Sequence, residues 1–161
     1  MGNIFAGSEI VEIGIQIEKN GRDFYNTLVK KSENKEAVNI FKFLSSEEEK
    51  HIKVFQDILK GAQNYEPAES YPGEYFAYMN ALASEYVFTQ KDKGEQIAKA
   101  ITTDKEAIEF GIKFEKDSII FYEGMKKAIP EYDLKVVGQL ITQEQGHLKM
   151  LIDLKQLIRP I

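Results

Sequence analysis

The chain contains only two histidines, and each follows a glutamate by three residues: Glu48-Glu49-Lys50-His51 and Glu144-Gln145-Gly146-His147. A carboxylate and an imidazole at that spacing stand side by side on one face of a helix. Upstream of each pair lies a second matched segment, IEKNGRDFY from Ile17 to Tyr25 and FEKDSIIFY from Phe114 to Tyr122. The chain is thus a weak internal repeat of the form E…FY…ExxH. Its candidate chemical residues are Glu18, Glu48, His51, Glu115, Glu144 and His147. Carboxylate oxygen combined with imidazole nitrogen is ligand chemistry for first-row transition metals.

Four long helices are needed to position these residues. Ser8 is a plausible N-cap, and Ile10, Ile13, Ile17, Phe24 and Leu28 follow at helical spacing, so the first helix is expected over about Ser8 to Ser32. The second follows Ser32-Glu33-Asn34, carries Val38, Phe41, Leu44, Ile52, Phe55 and Leu59 on one face, and is expected to stop at Gly61. From Gly61 to Thr103 the pattern changes, with Pro67, Pro72 and the aromatic-rich YPGEYFAYMNALASEYVF. That segment reads as a long crossover lying as a lid over the bundle. It should hold one short helix over about Gly73 to Phe88 and another in EQIAKAI. The third long helix begins at the caps Thr103 and Asp104 and runs to about Ala128. The fourth starts at Pro130 and runs to about Ile158, and Pro160 closes the chain. The expectation is one all-α domain over residues 1–161, an antiparallel four-helix bundle with a single long crossover between its second and third long helices.

At about 100° per residue, Glu48 falls in the middle of the apolar arc of its helix, and Glu144 falls among Val137, Leu140, Ile141, Leu148 and Leu151. Glu115 shares a face with Ile108, Ile112 and Ile119, whereas Glu18 lies toward the edge of its stripe. The heights agree too. With the first turn centred on Glu33, Glu18 lies 15 residues before it and Glu48 lies 15 after; about Pro130, Glu115 lies 15 before and Glu144 lies 14 after. Four carboxylates and two imidazoles should therefore converge inside the bundle. An unpaired buried charge costs several kcal/mol, and no lysine or arginine falls at the centre of these faces. Two divalent cations would balance four carboxylates. One imidazole per metal in an oxygen-rich set suits two irons first, with manganese or a mixed Mn/Fe pair second. Structural zinc would use more histidine or cysteine.

Composition narrows the function classes. With 161 residues, 43% hydrophobic and 29% charged, the chain can bury a substantial core. Its net charge of −5 and interleaved lysines argue against nucleic acid. The absence of cysteine excludes disulfides, thiolate zinc sites and iron–sulfur clusters. The start MGNIFAGSEIVEIG lacks the basic region of a signal peptide, and no apolar run approaches the ~20 residues of a membrane span, so no membrane association and a cytoplasmic location are expected.

Taken together, these motifs resemble the ferritin-like di-iron carboxylate superfamily, and most closely its rubrerythrin-type proteins. The resemblance covers nearly the whole chain and implies a ferritin-like bundle. By it, Glu18 and Glu115 match terminal carboxylates, Glu48 and Glu144 match bridging carboxylates, and His51 and His147 match the imidazole ligands. Rubrerythrins carry a further glutamate three residues after the one on the third long helix, where it takes part in a redox-linked ligand exchange. Here that position is Ser118, so the exchange has no carboxylate to use. They usually append a cysteine-ligated rubredoxin iron as well. This chain has no cysteine, so electrons must come from a separate protein or small donor.

The leading expectation is a di-iron oxidoreductase reacting with dioxygen or hydrogen peroxide, of peroxidase or ferroxidase type, acting as a homodimer. The alternatives are an iron-storage module of the ferritin kind and a helical interaction module with a structural metal pair. Tyr25 and Tyr122, seven residues after Glu18 and Glu115, either hydrogen-bond the carboxylates or serve as core aromatics. Asp57, Asp153, Glu47 and Glu49 read as surface charges. Gly21 and Ser118 hold matched positions in the repeat; small residues there either leave a gap for dioxygen or peroxide or permit close helix packing.

Overall fold

A computed structural model describes residues 7–62 and 73–158. Pro67, Pro72 and Pro160 lie outside those residues. Four long helices, α1 (Gly7–Lys31), α2 (Lys35–Ala62), α5 (Asp104–Met125) and α6 (Leu134–Ile158), form the bundle, and two short ones, α3 (Glu74–Glu85) and α4 (Lys93–Ala100), lie in the crossover. There is no strand among the described residues. α1 packs chiefly against α2 and α5 against α6; α1 also meets α5, and α2 meets α6, which closes a four-sided core.

Local signals set the ends of these helices. Asn34 Oδ1 accepts a hydrogen bond from Ala37 N at 3.0 Å, which caps α2. Thr103 caps α5 through Oγ1, which accepts from Glu106 N at 3.1 Å, while Glu106 Oε2 accepts from Thr102 N at 3.2 Å. Ser32 Oγ donates to Asp104 Oδ1 at 2.7 Å and so ties the first turn to the start of α5. In the crossover, α3 stops at Glu85 rather than near Phe88, and the long helices depart from expectation at three ends. α2 runs through Gly61 to Ala62 rather than stopping at the glycine. A 3₁₀ turn at Lys126–Ala128 finishes α5, and another at Glu131–Asp133 comes between Pro130 and α6. Tightened terminal turns of this kind satisfy groups that the α-helix leaves without partners.

The crossover is fastened to α1 by one buried side chain. Asn20, 1% exposed, donates from Nδ2 to Phe88 O and Gln90 O, each at 2.6 Å, and its Oδ1 accepts from Gly94 N at 3.1 Å. α4 approaches so closely there that a Cβ on Gly94 would stand 1.9 Å from the Asn20 carbonyl oxygen. Only glycine fits at that crossing. Lys31 closes the far end of α4, donating from Nζ to Ala98 O at 3.0 Å and Lys99 O at 2.8 Å. The crossover thus covers a second flank of α1, and Glu18, expected near the edge of an apolar stripe, is fully buried. α3 covers α5, where Tyr75 Oη donates to Gly124 O at 2.6 Å.

Asn20→Ala would leave buried backbone groups of the crossover without partners, and each such group costs ~1–3 kcal/mol. The expected outcome is a loss of roughly 3 kcal/mol in chemical denaturation, with the helical circular-dichroism signal of the folded state retained.

Candidate metal centre

All six residues singled out by the repeat meet in the core, and each is at most 3% exposed: Glu18, Glu48, His51, Glu115, Glu144 and His147. They form two overlapping sets, Glu18, Glu48, His51 and Glu144 in one and Glu48, Glu115, Glu144 and His147 in the other, with the ligand atoms of each set within 4.8 Å of one another. Glu48 and Glu144 belong to both.

The shared carboxylates divide their oxygens between the two imidazoles. His51 Nδ1 lies 2.7 Å from Glu144 Oε1, 3.8 Å from Glu48 Oε2 and 3.5 Å from Glu18 Oε2. His147 Nδ1 lies 3.3 Å from Glu144 Oε2, 3.5 Å from Glu48 Oε1 and 3.9 Å from Glu115 Oε1. Each carboxylate therefore turns one oxygen to each side, as a group spanning two cations must. The imidazole rings stack at 5.5 Å between centroids, 19° from parallel.

Most of these atoms lack hydrogen-bond partners. Glu18 Oε2, both oxygens of Glu48, Glu115 Oε2, Glu144 Oε1 and His51 Nδ1 are buried without one. The short approach of His51 Nδ1 to Glu144 Oε1 is not aligned as a hydrogen bond. Buried polar atoms are almost always satisfied, so six unpartnered atoms facing one another fit a pair of cations. The donor set of carboxylate oxygens with one imidazole per side fits divalent first-row metals.

The surrounding groups hold these side chains in place. Tyr25 Oη donates to Glu115 Oε1 at 2.7 Å, and Tyr122 Oη donates to Glu18 Oε1. The bonds are crosswise, since each tyrosine serves the glutamate of the other hairpin. The tyrosines are therefore hydrogen-bond donors as well as core aromatics. His51 Nε2 lies 2.8 Å from Gln143 Oε1; with the proton on Nε2, this bond leaves Nδ1 free to bind a cation. Sequence reasoning missed Gln143, whose one available signal was its place directly before Glu144. Asp57 and Asp153 are exposed and paired with Lys60 and Lys149, as expected of surface charges. Glu49 pairs with Arg22, whereas Glu47, though paired with Lys50, is only 14% exposed.

The rubrerythrin family model matches residues 9–155. The chain belongs to the rubrerythrin family. Among solved structures it is similar to a Thermotoga maritima protein provisionally described as a ferritin-like diiron-carboxylate protein. The identity is 28% and the TM-score 0.72, over 97% of this chain and 98% of that one. No curated protein matches the chain. The fold is thus the ferritin-like all-α bundle of this family, and no helix among the described residues is long and apolar enough to cross a membrane.

The crowded acids of this rubrerythrin-family core shift one another's protonation. Burial, then the charges of Glu48 and Glu144, raises Glu18 well above the ordinary carboxylate range; burial, then Glu144, does the same to Glu115. Burial also works against ionisation of Glu48 and Glu144, but contacts with Glu18, Glu115 and the imidazoles outweigh it and hold both low. Burial disfavours charged imidazole, yet the facing carboxylates overcome it, raising His147 to about 9 and His51 further. The crowding of acids that would attract two divalent cations thus also draws protons toward Glu18, Glu115 and the imidazoles.

The pH dependence of the metal-free protein follows. His147 rises from 6.5 to about 9 on folding, so its contribution is complete below pH 6.5 and is lost as pH climbs toward 9. Raised Glu18 and Glu115 act in the same direction above pH 4.5, while lowered Glu48 and Glu144 give stability that is lost as pH falls below 4.5. The melting temperature of the metal-free protein should peak in the mildly acidic range and fall between pH 6.5 and 9. Calorimetry across that range checks this, and a flat profile would contradict a buried cluster of coupled acids and imidazoles.

Proposed function

We propose that the protein is a di-iron oxidoreductase that reacts with dioxygen or hydrogen peroxide. The observation that carries this reading is the division of the Glu48 and Glu144 oxygens between the two imidazoles, within a set of otherwise unpartnered buried oxygens. Glu18 and His51 would hold one ion, Glu115 and His147 the other, and Glu48 and Glu144 would span both. Iron is favoured over manganese or a mixed pair by the ligand set and the family. Two ferrous ions would supply two electrons, which with two protons convert hydrogen peroxide to two waters or dioxygen to hydrogen peroxide.

The chain's own residues keep the ligands oriented and dry. Tyr25 and Tyr122 each occupy one oxygen of Glu115 and Glu18, leaving Oε2 of each without a hydrogen-bond partner. Burial first, then the nearby carboxylates, raises both phenols well above their ordinary value, so they remain neutral donors. Ser118 Oγ donates to Phe114 O at 2.9 Å, a bond within its own helix. With no carboxylate at that position, the reading rests on six ligands rather than on a ligand exchange. A separate protein or small molecule would return the electrons.

Metal analysis and the optical spectrum of aerobically purified protein test the centre, with two irons per chain and near-ultraviolet oxo-bridge bands expected. Steady peroxide consumption with a supplied reductant tests the enzyme. Iron that oxidises once and does not cycle would overturn it in favour of storage. Glu48→Ala and Glu144→Ala should each abolish binding of the pair, because each removes oxygens from both sets. Two tightly held irons in either variant would refute the spanning role.

A further inference from the structure

Among the positions at which the two halves differ, two neighbouring matched pairs lie beside the cluster. In the repeat, Gly21 corresponds to Ser118 and Ile17 to Phe114. At Gly21 the structure leaves no gap: a Cβ there would stand 2.6 Å from Phe114 Cζ and 3.5 Å from Glu48 Cγ. The phenyl ring fills the space that two small residues were expected to leave. On the other side the corresponding ring is missing, because Ile17 stands where symmetry would put a phenylalanine. There the structure has a cleft of about 20 Å³ whose walls are Ile17, Phe88, Phe110, Phe114 and Ser118.

The cleft reaches inward to residues that adjoin the cluster. Ile17 directly precedes Glu18, and Phe114 directly precedes Glu115. Ser118 lies one helical turn beyond Glu115 on the same helix and is 1% exposed. Phe114 also stands 6.1 Å, edge to face, from Tyr25, which bonds Glu115. Outward, the cleft ends at Tyr86, Lys113 and Asp117, the last two paired at 2.9 Å. That pair leaves the rim without net charge, and the walls are almost wholly hydrocarbon. Ser118 has its proton committed to Phe114 O, so the floor offers no free donor.

We propose that this cleft is the way in for dioxygen, and that Ile17 and Ser118 hold it open on one side of the cluster alone. The inference rests on the di-iron reading above. Apolar walls suit an apolar diatomic molecule. They disfavour hydrogen peroxide, which would give up its hydrogen bonds to water, and a hydrated ferrous ion still more. The volume is that of one small molecule, so the passage conducts single molecules rather than bulk solvent.

The test combines Ile17→Phe with Ser118→Gly, which copies the closed side onto the open one with a residue pair the core already accommodates. Ser118→Gly alone is the opening control. NMR of the full chain under oxygen pressure, loaded with diamagnetic zinc, reads the cleft without any turnover. Paramagnetic relaxation of the Phe88 ring protons should exceed that of Phe76, which is 7% exposed against 4% for Phe88, and should fall to its level or below in the double variant. Stopped-flow oxidation of the ferrous protein by dioxygen should slow several-fold in the double variant at unchanged iron content, while oxidation by peroxide should change little. No excess relaxation at Phe88 in the parent protein would overturn the route. So would an unchanged dioxygen rate in a folded, iron-replete double variant. A parent protein that neither oxidant converts, despite excess relaxation at Phe88, would overturn the di-iron reading, and the route with it. Failure of the double variant to fold leaves the relaxation at Phe88, and its increase in Ser118→Gly, as the deciding measurements.

Discussion

Four carboxylates buried in one apolar core are the constraint around which this protein is arranged. Their mutual repulsion and lost hydration would each be costly alone. The bundle tolerates them because positive charge is admitted to the same place, as protons or as metal. Left unbalanced, the four carboxylates would work against the fold that buries them. The aromatic shell of Phe41, Phe55, Tyr25 and Tyr122, each 0% exposed, keeps the cluster away from bulk water.

The crossover contributes to the same end. A simple pair of hairpins would leave one flank of α1 exposed, and Glu18 lies close to that flank. By laying α4 and the 3₁₀ turn at Val87–Thr89 along α1, the chain makes a solvent-facing edge into interior. Asn20 is the polar fastening that makes this possible, since it meets the backbone groups that the irregular segment brings inside. Site and crossover are thus mechanically linked through one turn of α1, which carries both Glu18 and Asn20.

Much of this was legible in the chain itself. The ExxH pairs, their equal distances from the turns and the apolar arcs around Glu48, Glu115 and Glu144 pointed to one buried cluster, because helical geometry converts spacing into position. Features that depend on contacts between hairpins were not legible in that way. The crossed partners of Tyr25 and Tyr122 required knowing how the hairpins are set against each other. Gln143 looked like an ordinary polar neighbour until its helix was placed beside His51. Glu18 appeared marginal because a stripe computed for one helix ignores what a crossover will cover. Gly21 suggested a gap, but the ring that fills it lies more than ninety residues away in the chain.

The exchanged tyrosine bonds join two halves that need not be identical. A hairpin that met an identical copy through such bonds would carry every substitution twice, once on each side of the shared cluster. Joined in one chain, the halves can keep the six ligands in common and diverge elsewhere. Asn20 is an anchor, while its counterpart Asp117 lies nearer the surface and pairs with Lys113. One half supports the crossover and the other does not, a division of labour that two identical hairpins could not show.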